Sequence, residues 1–263
     1  MIRVDDLGVT FAPGTPLEKE ALKKIDLGID AGSFVTVIGS NGAGKSTLLG
    51  ALAGDVMATR GSIHIGDADV TRLPTARRAG RIARVFQDPL AGSCTNLTIE
   101  ENLAIAVMRG KTRGFSAALS QQRRELFQDR IKRLGLGLEN RMQDLMGQLS
   151  GGQRQAVSLI MATLVPCNVL LLDEHTAALD PGMAEFVLEL TCEVQRDLKL
   201  TTLMVTHSMS QALSVGDRTI MLHEGEIIFD AQGEDRAGLT VEALVNKFRE
   251  VRGARIDGDA LLL

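Results

Sequence analysis

Gly39-Ser40-Asn41-Gly42-Ala43-Gly44-Lys45-Ser46-Thr47 decides how the rest of the chain is read. The nine residues fit the P-loop pattern of glycine, four free positions, Gly-Lys and then Ser or Thr. A loop of this kind turns backbone N–H groups around phosphate oxygens, and its glycines remove side chains that would block the approach. The helix that follows adds the positive end of its dipole. Lys45 then reaches the β- and γ-phosphates, and the Ser46 hydroxyl is a ligand for Mg²⁺. The flanks agree. Phe34-Val35-Thr36-Val37-Ile38 is a short β-rich apolar run, as a buried parallel strand requires. Leu48, Leu49 and Leu52 recur at helical spacing up to Gly54, which can end the helix. Strand, loop and helix in this order predict nucleotide-phosphate binding.

At 263 residues the chain can bury a large core, as one domain or as a domain with an insertion. A net charge of −4 gives no reason to expect a nucleic-acid partner. Cys94, Cys167 and Cys192 have no paired spacing, which points to reduced thiols rather than a disulfide framework or a zinc site. The N-terminus has no apolar signal core, and no stretch approaches the ~20 apolar residues that span a bilayer. Work at a membrane would therefore need a partner. Without Trp or Tyr, stacking on a base falls to a Phe, His or Arg.

Upstream of the loop, residues 2 to 11 and 24 to 30 alternate in polarity, with Ala12-Pro13-Gly14-Thr15-Pro16 as turn chemistry between them. With Ser62–Gly66 they predict a small antiparallel sheet. Phe11, at the end of the first strand, reads from pattern as core packing. Arg81–Phe86 is a further strand, closed by Gln87-Asp88-Pro89. Gln87 is either a ligand contact at a strand's carboxyl end or an exposed edge residue.

The stretch from Thr98 to Leu134 is helical in character. Thr98-Ile99-Glu100-Glu101 resembles a capping box. Ser116 to Leu134 predicts a polar helix with Leu119, Leu126, Phe127, Ile131 and Leu134 on its apolar face. A basic loop, Arg109–Gly114, joins the two helices. Leu149-Ser150-Gly151-Gly152-Gln153 then opens another helix, a second anion-binding device of the same physics as the first.

Val169-Leu170-Leu171-Leu172-Asp173-Glu174 is an apolar strand whose two acids reach the ligand crevice. Asp173 can hold Mg²⁺ through its hydration shell, and Glu174 can act as general base for a water attacking the γ-phosphate. Asp180 caps a helix near Pro181. Thr201–Thr206 is the next strand, with His207 at the mouth of the crevice. A hairpin turns at Glu224-Gly225, a weak helix runs from Val241 to Val251, and Arg252–Leu263 is expected to be mobile.

In this order and spacing the chain resembles an ABC transporter ATPase subunit over about residues 2 to 230. The resemblance rests on the P-loop, the Gln87 loop, the Leu149–Gln153 signature, the Val169–Glu174 strand, Leu179-Asp180 and His207. It implies an α/β fold: a P-loop NTPase core with an antiparallel β subdomain and an inserted α-helical signature subdomain. The expected division is 1–88 core with β subdomain, 89–165 helical subdomain, 166–230 core continued and 231–263 tail. It implies ATP and Mg²⁺ as ligands. Ser40, Asn41, Gly42, Ala43, Gly44, Lys45, Ser46 and Thr47 would cradle the phosphates, and Ser46, Gln87 and Asp173 would organise the metal. Glu174, His207, Gln87 and Lys45 would act on the γ-phosphate and the attacking water. Phe11 takes the position of the aromatic that stacks on adenine.

The same resemblance implies head-to-tail pairing of two subunits. Ser150, Gly151, Gly152 and Gln153 of one copy would close on the ATP of the other, and Asp180 would lie where the two communicate. Separate membrane permease subunits and an extracytoplasmic binding protein would complete an uptake system. That puts this subunit at the cytoplasmic face of the inner membrane. The departure Glu174-His175-Thr176-Ala177-Ala178 leaves His175 without a role. A non-transport ABC ATPase and an exporter subunit remain alternatives at this stage.

Overall fold

The computed structural model describes residues 1–111 and 118–260, with the backbone alone over 251–260. The P-loop strand does occupy the middle of a sheet. Strands β1 (Ile2–Phe11), β2 (Lys19–Ile29), β4 (Arg60–Ile65) and β5 (Ala68–Asp69) make one antiparallel sheet in the order β2-β1-β4-β5. The second sheet has β3 (Phe34–Gly39), β6 (Ile82–Val85), β7 (Val169–Asp173), β8 (Thr201–Val205), β9 (Arg218–His223) and β10 (Glu226–Gln232). Its order is β10-β9-β3-β8-β7-β6. Pairing is parallel from β9 through β3, β8 and β7 to β6, and only the β9–β10 hairpin is antiparallel. Parallel neighbours all end their strands at the same edge, so residues after β3, β6, β7 and β8 converge there.

Alternation along the parallel strands divides the core into two layers. Val35, Val37, Val169, Leu171, Leu203 and Val205 point to one side, against helix α1 (Lys45–Ala53) and the antiparallel sheet. On the other side Leu170, Leu172 and Met204 meet α3 (Ile99–Ala106), α4 (Gln121–Lys132), α5 (Gly151–Thr163) and α6 (Pro181–Leu198). A short α2 (Thr75–Arg78) lies before β6, and α7 (Met209–Ser214) follows β8. The chain ends in α8 (Gly233–Ala237) and α9 (Val241–Ala260).

Three elements differ from the sequence reading. Strand β2 begins at Lys19 rather than residue 24, because a register shift and Lys24 at φ 39° break the alternation. Helix α4 begins only at Gln121, where the Ser120 hydroxyl accepts from Arg123 N, and Leu126 on it is exposed. The expected helix start, Ser116, and Thr112–Gly114 of the basic loop lie outside the described residues. The helix expected over Val241–Val251 is present and runs longer. Leu244 is fully buried with Ile38, Ala212 and Met221, Phe248 packs edge-on to His223, and α9 continues to Ala260. Leu261–Leu263 lie outside the described residues.

A candidate nucleotide site at the strand ends

The P-loop backbone is held in shape by its glycines and by what crowds them. Gly44 has φ 102°, and a Cβ there would stand 2.7 Å from Ala21 O. At Gly39 a Cβ would stand 2.2 Å from Leu222 O. Neither position admits a side chain. Ala43 N bonds Ser40 O, Gly225 N bonds Ala43 O, and α1 starts at once with Lys45. Its first-turn N–H groups have no acidic residue or cap side chain to satisfy them, which leaves a helix start suited to an anion.

Lys45 Nζ donates to Gly39 O at 2.8 Å and Ser40 O at 3.1 Å, and stands 4.0 Å from Glu174 Oε1. Burial holds this ammonium below the usual lysine range, against the opposing pull of Glu174 and Asp173. Glu174 follows β7 with φ 44°, a left-handed conformation costly for a glutamate, and its N–H is fixed to Val205 O. That turn brings its carboxylate toward the P-loop, with Oε2 3.5 Å from His207 Nδ1. Strand β8 ends two residues before His207, whose side chain is 60% exposed.

A cavity of about 700 Å³ is lined by Phe11, Asn41–Thr47, Gln87, Glu174 and His207, with Lys19 and Ala21. Phe11 is 43% exposed, so the core-packing reading is corrected: the end of β1 carries the ring out over the cavity. Gln87 is exposed and also forms this wall, so it is not a mere edge residue. Ser40 faces a smaller apolar pocket shared with Met209 and Phe248, with His207 in common.

Ser46 Oγ donates to Asp173 Oδ1 at 3.3 Å. Among the described residues no group of three His, Cys, Asp or Glu could cage a metal. Mg²⁺ does not need one. It takes one or two protein oxygens, keeps several waters and completes its shell with phosphate. A hydroxyl and a carboxylate side by side at the first turn of α1 fit that ion.

The signature residues do not line the cavity. Ser150 is the N-cap of α5: its hydroxyl accepts from Gln153 N, and Ser150 N donates to Gln153 Oε1. Ser150 and Gly151 are exposed, whereas Gly152 is buried, its α-carbon so near Met183 of α6 that a Cβ would collide. Asp180 caps α6 by accepting from Met183 N. Thus α5 offers a second exposed helix N-terminus elsewhere on the same chain.

Sequence reasoning missed the residues that brace these loops. Arg78 is almost fully buried and donates to Ala51 O, Leu52 O, Leu73 O and Thr71 O, so it caps the C-terminal end of the P-loop helix. Arg236 of α8 does the same for α7, bonding Ala212 O, Leu213 O and Val215 O. His175 is buried against Thr191, with its pKa lowered to about 4 by desolvation. The departure from the family pattern at His175 was the one signal available for any of these.

Comparison with known proteins gives concordant results. A model of the ABC transporter family matches residues 22–177. The tyrosine transport ATP-binding protein of Clostridioides difficile is 40% identical over 94% of this chain and 98% of its own length. The thiamine import ATP-binding protein of Salmonella paratyphi A is 34% identical over 81% of this chain and 85% of its own. Among solved structures, a dimeric ATP-binding cassette in a post-hydrolysis state bound to ADP and Pi superposes with a TM-score of 0.76 at 29% identity. That similarity covers 88% of this chain and 98% of the other.

Proposed function

Because the chain belongs to the ABC transporter family as an ATP-binding, ATP-hydrolysing subunit, we propose that it powers import of a small, amino-acid-like solute. Permease subunits made as separate chains would carry the solute, and an extracytoplasmic binding protein would deliver it. The names of the relatives, tyrosine transport and thiamine import, support uptake of small solutes. No helix among the described residues is long and apolar enough to cross a membrane. On this reading the subunit sits at the cytoplasmic face of the inner membrane, held there by the permease.

One observation carries the mechanism. Lys45, Gln87, Glu174 and His207 converge on one cavity, while the Ser150 helix start lies outside it. A second helix N-terminus, outside the first cavity, serves another copy's nucleotide. Two copies then make two composite sites by a two-fold arrangement. The P-loop amides and Lys45 bind the β- and γ-phosphates, and Phe11 stacks on adenine. Ser46, Asp173 and Gln87 would hold Mg²⁺, which supplies charge neutralisation on the phosphate oxygens. Glu174 accepts the proton of the attacking water, and His207 contacts the γ-phosphate. Ser150 and Gly151 of the partner close the site, and Asp180 lies beside that junction. Loss of the γ-phosphate removes the contacts that hold the halves shut.

A groove of about 920 Å³ begins where β6 ends, walled by Phe86, Pro89, Ile105, Met108 and Met161. It adjoins the Gln87 loop and suits the permease as docking surface, because movement of Gln87 with the nucleotide reshapes its wall. The division into core, helical insertion and tail at residues 88, 165 and 230 follows this separation of tasks. Glu174→Gln tests the chemistry. It is expected to bind ATP normally and to lose nearly all turnover, and undiminished hydrolysis overturns the role of Glu174. Copurification from membranes is expected to recover a polytopic partner.

A further inference from the structure

Arg84 is a charge on the core side of β6. Its neighbours on that face, Ile82, Val169 and Leu171, belong to the apolar layer under α1. The β6–β7 register pairs Arg84 with Leu171, and period two puts Asp173 diagonally across on the same face. Both terminal nitrogens of the guanidinium are paired there, and its Nε is buried without a partner. Nη2 donates to Asp173 Oδ2 at 2.7 Å, and Nη1 donates to Asp55 Oδ2 at 2.6 Å. Asp55, just past the end of α1, accepts from Thr75 Oγ1 on its other oxygen. The Phe86 ring covers the remaining face, 4.7 Å from Cζ.

Placing a cation in this layer costs desolvation that only well-formed partners offset. With its side chain 16% exposed beside an Asp173 that is 11% exposed, Arg84 occupies one carboxylate oxygen and leaves the other to Ser46. A free carboxylate rotates about its Cβ–Cγ bond. This one is fixed at two points, from β6 and from α1. Simple electrostatics gives such a cation the opposite effect on a metal: it repels a divalent ion at the neighbouring oxygen. Asp55 reduces that repulsion.

We propose that Arg84 is a positioning residue for ATP hydrolysis, which holds Oδ2 of Asp173 against Asp55 so that Oδ1 stays aimed at the Ser46 hydroxyl. The proposal rests on the reading of Ser46 and Asp173 as the Mg²⁺ site. Its signature is a split. Loss of the guanidinium disorders the carboxylate, so turnover falls, while removal of a repelling charge leaves divalent-ion binding at least as tight. A merely structural role would weaken both together.

The test uses the full-length protein with Arg84→Met, Arg84→Lys, Arg84→Gln and Asp173→Asn. Mn²⁺ bound in the presence of ADP is measured by electron paramagnetic resonance, beside steady-state hydrolysis of MgATP. Arg84→Met is expected to lose about tenfold or more in kcat, the scale of a modest misplacement of a reacting group. KM for ATP should stay within about twofold, and Mn²⁺ should bind no more weakly than in the parent protein. Arg84→Lys is expected to fall between, since a point charge cannot bridge two carboxylates. Arg84→Gln, which removes the charge but keeps a hydrogen-bond donor, gives the same split at smaller amplitude if Arg84→Met does not fold. Unchanged kcat, or Mn²⁺ binding lost in step with kcat, overturns the proposal. Asp173→Asn keeps the two claims apart. If it retains Mn²⁺ binding, the metal reading fails; if it loses Mn²⁺ while Arg84→Met keeps full turnover, only the role of Arg84 fails.

Discussion

His175 Nε2 lies 3.0 Å from Thr191 Oγ1, and Thr191 Oγ1 donates onward to Val187 O at 2.7 Å. The hydroxyl proton is therefore spent on Val187, so His175 donates from Nε2, and burial keeps its ring neutral near pH 7. The residue next to Glu174 is thereby pinned to α6, the helix capped by Asp180.

This burial has a pH consequence. Desolvation lowers the His175 pKa from 6.5 to about 4. Between those values the unfolded chain binds a proton that the folded chain refuses. The stabilisation is complete above pH 6.5 and is lost as pH falls toward 4. At pH 5 about 2 kcal/mol is gone, or roughly 5 °C in Tm for a chain of this size. His175→Gln, melted at pH 7.5 and pH 5, is expected to lose less on acidification than the parent protein. Equal losses contradict a buried neutral imidazole.

Arg78 predicts a stability defect. Four carbonyls at the end of α1 and in the segment before α2 accept from one guanidinium. Arg78→Met leaves them buried without a donor, at a cost of about 3 kcal/mol or more. Arg78→Lys should recover only part, because an ammonium cannot reach all four. Thermal melting checks both variants.

Phe11 predicts a binding defect without a folding defect. Its ring is exposed, so Phe11→Ala should leave Tm nearly unchanged. Stacking on a base is worth about 1–3 kcal/mol, which corresponds to roughly 5- to 150-fold in affinity for ATP. A nucleotide titration that shows parent affinity removes Phe11 from the site.

Much of the site was legible because its chemistry sits in contiguous motifs at strand ends. Gly39–Thr47, Gln87, Asp173, Glu174 and His207 each follow an apolar run, and the parallel order β3-β8-β7-β6 then brings those runs to one edge. What escaped reading depends on register and on distance along the chain. Arg84 looks like any strand residue until β6 is paired with β7, and Asp55 looks like a turn residue until α1 is laid on that face. Phe11 alternates like a core residue, yet it stands at the last position of β1, where it is left 43% exposed. The helix from Val241 was legible, but its seat on the core was not: one buried leucine, Leu244, and the Arg236 cap hold this region, and neither gives a periodic signal.

Ser150 caps a helix that does not border its own P-loop cavity, so the proposed site needs a second copy to complete it. Sedimentation of Glu174→Gln with saturating ATP tests this most directly. The predicted result is conversion to a dimer by ATP, abolished by adding Ser150→Glu, which places a carboxylate against the partner's γ-phosphate. A protein that binds ATP but stays monomeric, or a Ser150→Glu form that dimerises equally well, would contradict it.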